Sequence, residues 1–510
     1  MGEASAKSAR PSAVEAVAWA ISGLLVAWVV AWPWIAGMVA INDDLKFVRV
    51  DAPLSPLVDR IAAAWRTEPT FRPLEIAVGM SCDGWTLRPG LAPWLQAVGV
   101  IACGAAVVAL ARRCVPGSRV VAPLALGLFA LSPALSVSAW QVDTVSQTWT
   151  AAAGCWGLLA AHRAAIRGNG AIPARVPLAA LSLLVAFGCV IKETAFGWCA
   201  GTAAALAVAA FVGRRSPGWA ARCALVLLPC VVIPSALVLA RLASGGLGGL
   251  AGPDDGARYS AQFGMNLLMN AGLSVGALAG NGPFHLLTDD AANPLLRSLP
   301  VVAVLAALGL SSAVALLAIV NRRAAAGVRW DLLALAGVAA AGSLAVTLPM
   351  GTVGELYGMG ANAVAAVAMA AVARSAWRPV ADDEVLLGRL ACVAGVAILL
   401  AVGVVGLAGR AEAFASTWRT ADEMNGRIVE AVRDAERDGH DLVVFFALPC
   451  FQGRTYGQYV TPPLQAIDPL RSSGWIDAMT PGCEVLLTPS NAPAELGPGR
   501  LLIDCAGSAR

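Results

Sequence analysis

The stretch that decides the fold is Ala16–Ala40, AVAWAISGLLVAWVVAWPWIAGMVA, which is followed at once by Ile41-Asn42-Asp43-Asp44. The apolar run is long enough to cross a bilayer as a helix, since about 20 apolar residues span the hydrocarbon layer. It lacks a clean small-residue cleavage site, so we expect an anchor that stays in the protein. The two carboxylates at its end are costly near lipid and raise the hypothesis of a functional site. They are equally typical of a helix end that marks the water boundary.

The composition of the whole chain agrees with a membrane protein. Of the 510 residues, 58% are hydrophobic and only 14% are charged. The hydrophobic share is higher, and the charged share lower, than in typical soluble domains. The net charge of +3 is too small to indicate nucleic-acid binding. The twelve cysteines include no CxxC pair and there are only three histidines, so the sequence does not predict a structural zinc site.

We therefore predict an all-α polytopic membrane protein with about eleven transmembrane helices, counted with the criterion of about 20 apolar residues. The predicted spans are 16–40, 94–111, 120–137, 148–162, 176–191, 195–212, 223–241, 299–320, 331–348, 358–373 and 387–408. The apolar segment 263–280 contains Asn266 and Asn270 and is rich in glycine, so we interpret it as an interfacial or re-entrant helix on the outer face.

Basic residues fall in every second loop between these spans. Such clusters mark the cytoplasmic side under the positive-inside rule. They are Lys7, Arg10, Arg112, Arg113, Arg119, Arg163, Arg167, Arg175, Arg214, Arg215, Arg222, Arg322, Arg323, Arg329, Arg374 and Arg378. The pattern predicts a multi-pass protein of the cytoplasmic (inner) membrane with its N-terminus inside.

Two domains are expected. Residues 1–409 form the transmembrane domain, with a first outer loop at 41–93 and a long outer loop at 242–298 that contains the interfacial helix. The composition of residues 410–510 is that of a soluble domain, with helical spacing from Phe414 to Val432 and strands at 442–448 and 484–487. We predict a small α/β domain there, on the periplasmic or extracellular side.

The outer loops collect acidic, basic and aromatic residues, whereas the cytoplasmic loops are almost purely arginine. A carboxylate suits a general base for an acceptor hydroxyl or amine, and arginine and lysine suit a phosphate. A base opposite a cation is what displacement at a sugar carbon bearing a phosphate requires. The candidate site residues are Asp43, Asp44, Arg72, Asp143, Lys192, Glu193, Arg258, Tyr259, Glu355 and Tyr357.

Each candidate also has an ordinary structural interpretation. Lys192-Glu193 is compatible with a tight turn that carries a self-neutralising pair. Asp143 could cap the helix that is predicted to begin near Thr148. Arg72 and Glu355 are compatible with solvated loop residues.

The order of these features resembles the C-superfamily (GT-C) of integral-membrane glycosyltransferases, which includes the protein O-mannosyltransferases and the aminoarabinose transferases acting on lipid A. The resemblance covers roughly residues 14–375. It rests on Asp43-Asp44, Thr70-Phe71-Arg72-Pro73-Leu74, Lys192-Glu193-Thr194 and Glu355-Leu356-Tyr357.

The resemblance implies an inverting transferase that takes a hexosyl or pentosyl group from a polyprenyl-phosphate donor on the outer face of the membrane. Asp43 or Asp44 would be the catalytic base, and Asp143 would assist. Arg72 and Lys192 would face the donor phosphate. The residues implied to line the same donor and substrate cavity are Glu193, Arg258, Tyr259, Glu355 and Tyr357.

The partners implied are the lipid-linked sugar, membrane lipid, and an acceptor that is a protein, a lipid or a wall glycan. Some superfamily members need a divalent metal, for which no ligand set can be carried onto this chain. The Asp-Asp pair departs from the Asp-Glu of the protein mannosyltransferases, so which acid is the base stays open. A WWD signature typical of oligosaccharyltransferases is absent from the sequence, which disfavours transfer of a whole glycan to asparagine.

Two other classes of function compete with this one. A transporter of lipid-linked sugars is expected to carry polar residues at mid-span and an inverted repeat. Spans such as 299–320 and 387–408 are nearly free of charge, which disfavours a transporter. A non-catalytic assembly or scaffold protein would depend on residues 410–510 and would tolerate loss of the outer acids.

Overall fold

The computed structural model describes residues 13–40, 57–67, 71–83, 86–212, 218–244, 267, 327–346, 348, 358–376, 384–439, 442–446, 484–488 and 500–503. These residues contain the helices α1 (Ala13–Ile35), α2 (Leu57–Thr67), α3 (Pro73–Met80), α4 (Ala92–Cys114), α5 (Val121–Ala130), α6 (Pro133–Ala139), α7 (Val145–Arg167), α8 (Arg175–Ile191), α9 (Thr194–Val212), α10 (Trp219–Ala243), α11 (Trp330–Ala345), α12 (Met359–Ala376) and α13 (Glu384–Asp438). The strands are β1 (Leu442–Phe446), β2 (Glu484–Thr488) and β3 (Arg500–Ile503).

Several of these helices are suited to a bilayer. Within the described ranges α1, α4, α9 and α10 are each long and apolar enough to cross, and the bent pair α5–α6 makes a fifth if it counts as one span. Three further apolar helices, α8, α11 and α12, are shorter. The described residues are mostly helical, as expected, whereas the count of eleven spans stays a prediction. The expected span 299–320 and the expected interfacial helix 263–280 lie outside the described residues.

The predicted span 120–137 is divided in the structure into α5 and α6, which meet at a bend of 60°. Pro133 opens α6 and has no N–H to continue the preceding helix. Ser132 caps the new helix, its side chain accepting a hydrogen bond from the Leu135 N–H at 3.3 Å. The Leu131 carbonyl, which loses its helical donor at this break, accepts instead from the Arg410 guanidinium at 2.9 Å.

Glycines set the closest approach between α9 and α11. A Cβ on Gly342 would lie 2.5 Å from the Gly197 carbonyl oxygen, and a Cβ on Gly201 would lie 2.6 Å from the Val338 carbonyl oxygen. Gly197 and Gly201 stand four residues apart on α9, the small-xxx-small spacing that lets two helix backbones touch in a membrane. Beside them, the Trp198 ring fills the space next to Gly154 of α7 and Gly360 of α12.

The last long helix, α13, runs without a break through the expected domain boundary at 409–410. Phe414 and Trp418 are fully buried, and the Phe414 ring lies 5.5 Å from the ring of Trp140, at the end of α6. The first residues assigned to a separate soluble domain therefore pack onto the helical bundle. The aromatic residues at helical spacing after 410 thus contribute to the core of the bundle, and the division into two domains at 409–410 stays a prediction.

A three-stranded parallel sheet in the order β2-β1-β3 follows α13. Val444 of β1 pairs with Leu486 of β2 and with Leu502 of β3. Strands β1 and β2 lie where the sequence indicates strands. The separate outer-face domain for this region stays a prediction.

The bundle has two chemically different ends. At the first, which we call the arginine end, the Arg329 N–H donates to the Cys114 carbonyl at 2.7 Å, and the Arg329 guanidinium lies 3.4 Å from His162 Nε2. The last turn of α4 and the end of α7 thus meet the start of α11 there. The opposite end of α7, at Val145, lies beside α3 and the junction of α8 with α9, where the acidic and basic residues described next are buried.

Candidate functional site

A fully buried carboxylate, Glu75, lies at the centre of the candidate site. Helix α3 begins directly after Arg72, with Pro73 in its first position, which places Glu75 in the first turn. Glu75 is 0% exposed. Its Oε1 atom accepts from Lys192 Nζ at 3.0 Å and from the Ser146 hydroxyl, and its Oε2 atom accepts from Arg72 Nη1 at 3.3 Å. Three donors thus compensate one buried negative charge, as such a charge requires.

Lys192 reaches Glu75 because the chain turns sharply between two spans. Helix α8 ends at Ile191, and Lys192 has an extended backbone with φ −160° and ψ 144°. The Lys192 carbonyl then accepts from the Ala195 N–H at 3.2 Å, which starts α9 at once. The Lys192 side chain is only 2% exposed. A lysine held this deeply beside a buried acid is not a solvated turn residue.

Glu193 extends the cluster through Arg72. The Arg72 guanidinium donates through Nε at 3.3 Å and through Nη2 at 3.2 Å to the same oxygen, Oε1, of Glu193. Burial alone would raise the pKa of Glu193, but the positive charges of Arg72 and Lys192 outweigh it and hold that pKa below its usual value. Glu193 is therefore ionised at neutral pH, and the Arg72–Glu193 contact is a charged hydrogen-bonded pair.

We call Arg72, Glu75, Ser146, Lys192 and Glu193 the Glu75 cluster. It joins residues far apart in sequence: Arg72 and Glu193 are separated by 121 positions. The predicted site residues Arg72, Lys192 and Glu193 are thus brought together. This contact removes the interpretation of Lys192-Glu193 as a self-neutralising turn, since each of the two residues pairs with a residue of the first loop.

Asp143 lies at the same end of α7 and is half-buried. The residue at the N-cap position of α7 is Thr144, which makes no side-chain capping bond and donates instead to the Ser138 and Gln141 carbonyls. Helix α7 therefore begins at Val145, before the expected start near Thr148, and Asp143 is not its N-cap. The other predicted site residues, Asp43, Asp44, Arg258, Tyr259, Glu355 and Tyr357, lie outside the described residues.

Sequence reasoning missed Glu75 and Ser146. The signal for Glu75 was present, because Pro73 is a typical first residue of a helix and Glu75 follows Arg72 by three positions, the spacing of a helical ion pair. The prediction of a single loop at 41–93 does not include the short helix α3. Ser146 gives no such signal, since a serine near a helix start is common and only its contact with Glu75 distinguishes it.

The cluster contains two cations and two carboxylates, so its side chains sum to zero charge. Its capacity for a ligand lies in hydrogen bonding as much as in charge. The Lys192 ammonium has three N–H donors, and one of them donates to Glu75. An anion such as a phosphate is a suitable acceptor for the remaining N–H groups of Lys192. In the part of the chain that the structure describes, no group of three or more His, Cys, Asp or Glu residues is arranged to hold a metal ion.

An apolar cleft lies near the cluster, and its walls are formed by other residues than those of the cluster. It lies among α7, α8, α9 and α10, and its wall includes Gly188 and Ala195, which stand on either side of Lys192-Glu193. Farther along, Leu181 and Leu184 line it from α8. A polar cluster with an apolar cleft nearby suits a molecule with an anionic head and a hydrocarbon tail.

Comparisons with known proteins give little beyond this geometry. No protein-family model matches the chain, and no curated protein matches it. One solved structure that resembles it is ArnT from Cupriavidus metallidurans bound to undecaprenyl phosphate, with 12% sequence identity over 93% of this chain and 90% of that chain and a TM-score of 0.44. At that TM-score the likeness is too weak to assign a function.

Proposed function

We propose that this chain is an integral-membrane glycosyltransferase that moves a sugar from a polyprenyl-phosphate donor to an acceptor on the outer face of the membrane. The observation that carries the proposal is the burial of Arg72 and Lys192 in one cluster at the end of the bundle opposite the arginine end. These are the two cations that the resemblance to the GT-C transferases would place at the donor phosphate. Four ionisable side chains packed together at one end of the bundle are not expected of a non-catalytic scaffold.

In the reaction we propose, the acceptor oxygen attacks the anomeric carbon from the face opposite the phosphate. The bond from that carbon to the phosphate oxygen breaks, and its electron pair leaves with the polyprenyl phosphate. The proton of the acceptor goes to the carboxylate of Asp43 or Asp44, assisted by Asp143. The configuration at the anomeric carbon is inverted because attack and departure occur on opposite faces.

The role of the cations follows from the change in charge. The phosphate diester of the donor carries one negative charge, and the departing monoester gains a second. A cation beside the leaving oxygen therefore stabilises the transition state more than the bound donor, which raises the rate and not only the affinity. Lys192, held by Glu75, and Arg72, held by Glu75 and Glu193, supply such fixed cations. The cleft along α8 and α9 would receive the first part of the polyprenyl chain.

The test uses the purified chain in lipid nanodiscs with radiolabelled undecaprenyl-phosphate sugars. We expect Asp43→Asn or Asp44→Asn to lower turnover by about 100-fold or more, the usual contribution of a general base. Lys192→Gln is expected to lower turnover by about 100-fold as well, because a preorganised charge contact is lost. Arg88→Gln is the matched control: Arg88 is also paired with an acid, Asp422, but is 60% exposed, so we expect unchanged turnover.

Normal turnover by both aspartate variants and by Lys192→Gln would remove the assigned roles. If the unmodified chain consumes none of several sugar donors, with divalent metal added, the scaffold or transport function would replace this proposal.

A further inference from the structure

Two buried polar atoms beside the Glu75 cluster have no hydrogen-bond partner among the described residues. They are the amide nitrogen Nε2 of Gln147 and the carboxylate oxygen Oε2 of Glu193. Leaving a buried donor or acceptor unpaired costs about 1–3 kcal/mol each. Buried polar atoms in native proteins are paired in the great majority of cases, by protein, water or ligand. A donor and an acceptor left open at one site therefore indicate a group that binds there.

The position of the Gln147 amide is fixed by its neighbours. Gln147 is 3% exposed, and its Oε1 atom accepts from the Thr194 hydroxyl at 3.4 Å. Thr194 directly follows Glu193 in sequence, and Ser146, which directly precedes Gln147, donates to Glu75. The amide thus lies against the junction of α8 and α9. The contact with Thr194 uses only the oxygen of the amide, and the Nε2 atom has no acceptor among the described residues.

Glu193 offers the complementary atom. Arg72 holds the Oε1 atom with two donors, which fixes the carboxylate, while Oε2 is buried and receives no described donor. The Glu193 side chain as a whole is 36% exposed, so the buried Oε2 atom lies close to the protein surface. The carboxylate is therefore oriented, and its open oxygen lies a short way inside the bundle.

We propose that Gln147 and Glu193 form a hydroxyl-binding subsite for the sugar of the lipid-linked donor. A hydroxyl is the group that both accepts and donates a hydrogen bond: its oxygen would accept from Gln147 Nε2, and its hydrogen would be donated to Glu193 Oε2. The subsite adjoins Lys192, so a sugar whose phosphate lies at Lys192 would extend toward it. This inference rests on the proposed function, because it takes the donor from it.

The proposal predicts an unusual combination of effects for Gln147→Met, which removes the amide and keeps the length of the side chain. The Nε2 atom has no described partner to lose, and the bond that Oε1 accepts from the Thr194 hydroxyl is long, at 3.4 Å. We therefore expect a smaller loss of thermal stability than for a buried glutamine with both ends of its amide well paired. Affinity for undecaprenyl phosphate is expected to stay within twofold. Affinity for the preferred sugar-bearing lipid is expected to fall about threefold to tenfold, the worth of one neutral hydrogen bond.

The experiment measures dissociation constants in nanodiscs for undecaprenyl phosphate and for undecaprenyl-phosphate mannose, glucose and arabinose. Gln96→Met is the matched control, because Gln96 is also a buried glutamine but has both ends of its amide paired, with the Gln141 carbonyl at 2.7 Å and the Thr148 hydroxyl at 2.9 Å. We expect Gln96→Met to lose stability. Its affinity for the four lipids is expected to fall by the same factor for each lipid, or not to change.

Three results would overturn the subsite while leaving the proposed function intact, provided that the unmodified chain binds undecaprenyl phosphate. They are an equal loss of affinity for all four lipids in Gln147→Met, no loss for any, and a loss of stability like that of Gln96→Met. A chain that binds none of the four lipids would overturn the proposed function and, with it, this inference.

Discussion

At the scale of single residues, Glu75 is the group on which the candidate site depends. A carboxylate with no exposed surface is stable only if its charge is compensated, and Glu75 receives donors from α7, from the α8–α9 junction and from the residue before its own helix. These contacts also hold Lys192 and Arg72 in place. Glu75 is therefore a positioning residue whose loss is expected to act through the two cations.

This leads to a double-mutant prediction. Glu75→Gln or Lys192→Met alone leaves one buried charge without its partner, and each is expected to destabilise the chain by about 3 kcal/mol. The double variant Glu75→Gln/Lys192→Met removes both charges, so we expect it to lose clearly less than the sum of the two. Thermal unfolding in detergent, followed by dye labelling of the buried cysteines, measures the three losses. Additive losses would show that Glu75 and Lys192 do not interact.

At the scale of elements, the sequence predicts helices well where apolar runs are long and are separated by charged residues. The junction at Lys192-Glu193 was expected between two spans, and it lies between α8 and α9. The bend between α5 and α6 was not expected, because hydropathy reports how apolar a segment is and is insensitive to the backbone hydrogen bond that Pro133 removes. The candidate site is predicted only in part. The basic and acidic residues of the predicted outer loops indicate phosphate chemistry, whereas the role of Glu75 is seen only from its contacts in the folded chain.

The packing of α9 on α11 gives a prediction for this scale. Gly342→Ala places a methyl group 2.5 Å from the Gly197 carbonyl oxygen and 2.6 Å from Gly201 Cα, so the two backbones must move apart. We expect a loss of about 1–3 kcal/mol. Gly337→Ala on the same helix is the control, because its added carbon meets no atom within 4 Å and alanine favours the helix, so stability should hold or rise by about 0.5 kcal/mol. Equal losses in both variants would argue against this interface.

At the scale of the whole molecule, the two ends of the bundle decide on which side of the membrane the chemistry would occur. The arginine end unites the ends of α4 and α7 with the start of α11, and the Glu75 cluster lies at the other end of α7. The positive-inside rule predicts that the arginine end is cytoplasmic. This orientation would place the Glu75 cluster on the outer side, as the proposed function requires.

Alkaline phosphatase fusions test this arrangement, since the enzyme is active only outside the cytoplasm. Fusions after residue 168, at the end of α7, should be inactive, and fusions after residue 83, beside the cluster, should be active. Two further fusions, after residues 290 and 325, test the predicted interfacial segment. If 263–280 does not cross the membrane, the fusion at 290 should be active and the fusion at 325 inactive. The reverse result at that pair would mean that 263–280 is a span and that Arg322 and Arg323 lie outside. Activity at 168 would place the Glu75 cluster in the cytoplasm, and an outward-facing transferase would then be excluded.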